Sequence, residues 1–133
     1  MIKLEHLGIA VKDLKNSNEL FSKLFNSKPY KTESVESEGV STLFFKIGET
    51  KIELLEATYP NSAIAKFIEK KGEGIHHLAF EVNNIEEEII RLKKEGFEFV
   101  SEHIKQGADN KRICFLHPKS TNGVLIELCQ EIN

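Results

Sequence analysis

At 133 residues, with 18 basic and 21 acidic side chains and a formal net charge of -3, the chain has the length of one ordinary domain and none of the basic excess that nucleic-acid binding requires. Its longest block of like charge is Glu86-Glu87-Glu88, and the opening MIKLEHLGIAVKDL mixes charged with apolar residues from the third position, unlike a signal peptide or membrane span. A cytoplasmic protein is expected, with Cys114 and Cys129, which form no C-x-x-C pair, as reduced core or lining thiols.

In chain order, the first predicted strand covers residues 3–11, where Leu7, Ile9 and Val11 share one face and His6, Gly8 and Ala10 the other. NSNELFSKLF follows as a helix with Leu20, Phe21, Leu24 and Phe25 as its apolar stripe. Three strands are predicted near 30–37, 40–47 and 50–57, and in the last of these Ile52 and Leu54 take the apolar side, leaving Glu53 on the other. NSAIAKFIEKKGEG reads as a connector with a short helix and a Gly-rich exit. A strand at 75–82 then precedes a helix near 84–95, with Ile85, Ile89 and Leu92 on one face, Asn84 as N-cap and Gly96 as the stop. Strands near 97–103, 111–117 and 123–130 complete the chain, the last with Ile126 and Leu128 on the apolar side and Glu127 on the other.

Two features of this order point to a duplication. EHLGIAVKDL aligns with HHLAFEVNNI so that His6 falls on His77, Leu7 on Leu78 and Val11 on Val82. TKIELLEA aligns with GVLIELCQ through a shared Ile-Glu-Leu, placing Glu53 on Glu127. The offsets are 71 and 74 residues, so the halves differ by three residues somewhere between these anchors. The expected fold is α+β, a single domain of two tandem βαβββ modules at about 1–58 and 75–133 with a connector at about 59–74.

Strand parity selects the chemistry. Adjacent strand side chains point to opposite faces, so His76 and His77 cannot both reach one site. His77 shares a face with Ala79 and Glu81, whereas His76 goes with Leu78, Phe80 and Val82 as a packing residue. His6, Glu53, His77 and Glu127 thus occupy repeat-related positions with small neighbours. Two imidazoles and two carboxylates suit one divalent ion such as Co, Mn, Ni, Zn or Mg, which also relieves the repulsion between the carboxylates.

The paired modules and these four residues resemble the vicinal oxygen chelate superfamily of glyoxalases, bleomycin resistance proteins and dioxygenases. The stretches IELLEATYPNSAIAKFIEKKGEGIHHLAFEVNNI and GADNKRICFLHPKSTNGVLIEL resemble its methylmalonyl-CoA epimerase family most. That resemblance implies a curved mixed sheet around a metal site, a homodimer, an acyl-CoA thioester substrate, and an isomerase that moves an α-proton through a metal-stabilised enolate. His6, Glu53, His77 and Glu127 would be the ligands, with Glu53 where some of these epimerases have Gln, and Glu127 also the base. Thr42 stands where at least one such enzyme has a glutamate, which leaves the second acid/base unassigned.

In HPKST, Lys119 and Ser120 are candidates to bind the substrate's carboxylate or acyl group, against the reading of a turn with a solvated lysine. Lys111, Arg112 and Lys119 could serve a CoA phosphate or could equally be solvated, and no Gly-rich phosphate loop is present. The rival readings are a glyoxalase I-type lactoylglutathione lyase, an extradiol dioxygenase, which a fourth protein ligand disfavours, and a drug-binding resistance protein without catalysis.

Overall fold

The structure, a computed structural model, describes residues 1–101 and 103–133. Among them the order is β1 (Lys3–Ala10), α1 (Leu14–Phe25), β2 (Lys31–Val35), β3 (Val40–Ile47), β4 (Thr50–Ala57), α2 (Ala63–Lys71), β5 (Gly74–Glu81), α3 (Ile85–Lys94), β6 (Lys105–Gly107), β7 (Lys111–Leu116) and β8 (Ile126–Glu131). Short 3-10 turns cover Glu36–Glu38 and Pro118–Ser120. The class is α+β, and βαβββ occurs twice. The chain divides into two compact units, His6–His76 and Met1–Glu5 with His77–Asn133. The connector helix α2 therefore belongs with the first module. The first five residues belong with the second, where the Ile2 N–H donates to the Glu81 carbonyl at 2.8 Å.

Each unit builds the same four-stranded arrangement. In the first the strand order is β2-β3-β4-β1, with β1 parallel to β4 and the other pairs antiparallel. In the second it is β5-β8-β7-β6, with β5 parallel to β8. The three-residue difference between the repeat offsets has a definite location. The equivalent rungs Phe45–Ile52 and Leu116–Ile126 are bridged by six residues in the first unit and nine in the second, where the connection carries the Pro118–Ser120 turn.

The two module helices start alike for the same physical reason. Asp13 and Asn84, 71 residues apart, are extended N-caps whose side chains accept the amides of Asn16 and Glu87, satisfying donors with no helical partner. The first amide of each helix is held from the last strand of its unit, Leu14 N–H by Glu56 Oε2 at 3.1 Å and Ile85 N–H by Gln130 Oε1 at 2.8 Å. The block Glu86-Glu87-Glu88 lies in the first turn of α3, with Arg91, Lys93 and Lys94 in the last, so both charge groups complement the helix dipole.

The first unit packs on both faces of its sheet. On one, α1 covers Val11, Leu43, Phe45 and Leu54 through Leu14, Phe21 and Phe25. On the other, α2 covers Ala10 and Leu55 through Ile64, Phe67 and Ile68. The expected α1 stripe needs correction, since Leu20 is 63% and Leu24 68% exposed while Phe21 and Phe25 do the packing. In the second unit α3 packs Ile85, Ile89 and Leu92 on Val82, Cys114, Leu116 and Leu128.

The strand expected near 97–103 is also corrected. Residue 102 lies outside the described residues, and the others contribute a single bridge, Phe99 to Leu116, while the strand that pairs with β7 starts at Lys105. Phe97 and Phe99 pack as side chains on the α3 core. Two backbone hydrogen bonds, from the Val100 N–H to the Phe115 carbonyl at 2.9 Å and from the His117 N–H to the Glu98 carbonyl at 2.7 Å, hold this segment beside β7.

Candidate active site

Register places the four expected ligands at equivalent points. In the first unit Gly8 is the Cα partner of Glu53 across the parallel pair, and Phe44 faces Glu53 from β3. In the second, Ala79 partners Glu127 and Phe115 faces it from β7. Each histidine lies two residues before the small one and so projects from the same face as its glutamate. Gly8 and Ala79 are buried small residues on that face, with Ala79 packed on Ile113, Cys129 and Phe115.

His6 Nδ1 lies 3.1 Å from Glu53 Oε2, and His77 Nε2 lies 3.4 Å from Glu127 Oε1. All four residues are buried, between 4% and 6% exposed. For an ion bound at about 2.1 Å, neighbouring donors stand about 3.0 Å apart at a right angle and about 3.4 Å apart at a tetrahedral angle. Both pairs have the separation of adjacent ligands on one ion, and buried carboxylates facing imidazole nitrogens form a donor set suited to a divalent metal. The residues fit the group. Phe115 meets the His77 ring edge-on at 5.8 Å and fixes its plane.

His76 is not a member of this set. Its ring packs edge-on against Phe67 of α2 at 4.9 Å, and burial, helped by the nearby Lys71 charge, pulls its pKa down to about 4. The packing role holds, with Phe67 of α2 as a ring partner. The two cysteines are free and buried. Burial pushes the Cys114 thiol up to about 12, and Cys129 also moves upward, through burial and then the Glu127 charge.

Of the candidate phosphate ligands, Lys111 is overturned. It is 3% exposed, with Nζ 3.2 Å from Glu131 Oε1 and 3.9 Å from the buried Glu5 Oε2, so its charge is compensated inside the second unit. Arg112 forms a two-pronged pair with Glu86 on α3. Lys119 pairs with Glu98 at 3.1 Å on the surface, and Ser120 Oγ accepts the Glu98 amide at 2.9 Å. His117 Nδ1 accepts the Lys119 amide and caps the turn. Ser120 keeps its own hydroxyl proton to donate.

Residues that sequence reasoning passed over share the face of Glu53. Lys51 is the Cα partner of His6 and stands directly opposite Lys46, while Lys31 stands opposite Phe44 with its ammonium 5.3 Å from the ring centre. Strand parity carried across β2, β3 and β4 is the signal that finds them. Thr42 is on this face too, 1% exposed and opposite Leu55. No helix among the described residues is long and apolar enough to cross a membrane.

Comparison with known proteins identifies the family. The family model described as "Glyoxalase/Bleomycin resistance protein/Dioxygenase superfamily" matches residues 5–115. Human mitochondrial methylmalonyl-CoA epimerase is 39% identical over 129 residues, which covers 96% of this chain and 73% of that protein. A hypothetical protein from Bacillus halodurans C-125 superposes with a TM-score of 0.95 at 43% identity, covering 98% of this chain and 95% of the other. A variant of the Streptomyces coelicolor methylmalonyl-CoA epimerase, solved with 2-nitronate-propionyl-CoA, gives 0.93 at 32% identity over the same shares. The chain belongs to the glyoxalase/bleomycin resistance protein/dioxygenase superfamily and, within it, to the methylmalonyl-CoA epimerases, a family of isomerases.

Proposed function

We propose that this protein catalyses the metal-dependent epimerisation of methylmalonyl-CoA, with His6, Glu53, His77 and Glu127 as one ligand set and the two units acting as a single domain. The duplicated, buried imidazole–carboxylate pair carries this reading, in a chain that shares 39% identity with a human enzyme of that name. A bound divalent ion would supply Lewis-acid stabilisation of the negative charge that develops on the thioester oxygen, worth several kcal/mol.

The chain's own residues account for the rest. The substrate's α-hydrogen lies between a thioester and a carboxylate and is therefore weakly acidic. The Glu127 carboxylate takes that proton, and the enolate's charge is met in a site from which buried side chains exclude water. Return of the proton to the opposite face needs a second group. Thr42 has no titratable proton with which to supply it. Ser120 could donate its hydroxyl to an acyl oxygen, and Lys119 could reach a carboxylate by releasing Glu98. The family likeness supports a homodimer, which sedimentation would check.

The test is mass spectrometry of methylmalonyl-CoA incubated with metal-loaded protein in deuterated water. One deuterium per turnover at the α-carbon is expected, with negligible lactoylglutathione from methylglyoxal and glutathione. No α-exchange, together with rapid lactoylglutathione formation, would overturn the proposal.

A further inference from the structure

We propose that Lys46, Lys51 and Lys31 form a cationic rim beside the His6–Glu53 pair that binds the phosphates of a coenzyme A thioester; this rests on the acyl-CoA reading above. The sheet register of the first unit lays the relevant face out in rows. One row runs His6, Lys51, Lys46 across β1, β4 and β3. The next runs Gly8, Glu53, Phe44, Lys31 and continues onto β2. A third runs Ala10, Leu55, Thr42, Glu33, and its apolar members are sealed by α2.

Contacts confirm that these rows share one face. His6 meets Glu53, the Lys31 ammonium lies against Phe44, and Ala10 packs with Leu55. The face is therefore closed by apolar packing at one end, and all three lysines lie in the two rows at the other.

Two observations favour an anionic ligand there. First, Lys46 and Lys51 are Cα partners across an antiparallel pair, which sets two lysine stems side by side in the row of His6. Lys46 is exposed and makes no ion pair with any described residue, and Lys31 is shared with Glu33 at 3.1 Å. Second, the chain carries a net charge of -3, so a polyanionic ligand would be repelled without a local positive field. The other cations considered for this task are engaged elsewhere, Lys111 with Glu5 and Glu131, Arg112 with Glu86 and Lys119 with Glu98. Lysine suits phosphate as a mobile point charge on a long stem, which lets a rim residue reach groups well away from the reacting carbon.

The experiment compares binding of propionyl-CoA and propionyl-pantetheine, which share the acyl thioester and differ in the phosphates and nucleoside. Calorimetry would be run on the wild-type chain and on the double variant Lys46→Gln/Lys51→Gln, and repeated on Lys46→Gln alone. The wild type should prefer the CoA ester, and the double variant should lose about 10-fold or more of that preference. Binding of the pantetheine ester should be unchanged. The wild-type preference should also shrink with added salt. An unchanged CoA-to-pantetheine ratio in both variants would overturn the proposal, as would equal weakening of both esters. These outcomes are read from binding alone, so they stand apart from failure of the epimerase reading, which shows as absent α-exchange in the wild type.

Discussion

His76 and His77 differ in what surrounds them more than in sequence. His77 faces a carboxylate at 3.4 Å from a buried strand position, whereas His76 lies on the Phe67 ring with its pKa lowered to about 4. His77→Ala should abolish metal binding while leaving the metal-free fold nearly as stable. His76→Ala should bind metal normally and lose about 1–2 kcal/mol of stability with its ring contact. The linkage sign follows from the lowered pKa. The fold prefers neutral His76, and the unfolded chain takes up the proton near 6.5, so this term is intact above pH 6.5 and is lost as pH falls towards 4. Its ceiling is about 3 kcal/mol. His76→Phe, which keeps the ring without the proton, should flatten the thermal stability of metal-free protein between pH 4 and 6.5. An unchanged slope would show that His76 is solvated. At Glu127 the expected signature is kinetic. Glu127→Gln keeps an oxygen donor but removes the base, so α-proton exchange at saturating metal should fall by about 100-fold or more. Wild-type exchange in that variant would assign the base elsewhere.

Among the elements, α1 gives the clearest test of packing. Phe25 meets Phe45 edge-on at 5.3 Å, whereas Leu24 projects outward at 68% exposure. Phe25→Ala should cost about 3 kcal/mol and Leu24→Ala less than about 0.5 kcal/mol, read from denaturant midpoints. Periodicity located α1 correctly but assigned four residues to a stripe that packs with two of them. An i, i+4 pair such as Leu20 and Leu24 looks the same in sequence whether or not a neighbouring element covers it. Phe97 and Phe99 show a related limit, since they alternate like a full strand and pack on the α3 core, yet the described residues around them form a single bridge to β7. The His–Glu pairings were legible because alternation and a repeat constrain the same positions. The neutralisation of Lys111 was not, because Glu5 lies 106 residues away and local pattern says nothing about their meeting.

At the scale of the whole molecule the duplication has diverged in charge. The rung that carries Lys51 beside His6 has Leu125 at the equivalent place in the second half, while the proposed base Glu127 belongs to that second half. On the proposed reading one copy would hold the anionic ligand and the other would move the proton, with both pairs serving one ion. Metal stoichiometry decides the point. If His6, Glu53, His77 and Glu127 form a single set, the wild type should bind about one divalent ion per chain, and His6→Ala and His77→Ala should each lose that ion, since three remaining ligands hold it far less tightly. If each pair served its own ion, the wild type should bind two and each variant retain one. Exhaustive chelation should remove α-proton exchange, and readdition of metal should restore it. Full exchange by rigorously metal-free protein would leave the carboxylates to act alone and refute the single-ion site.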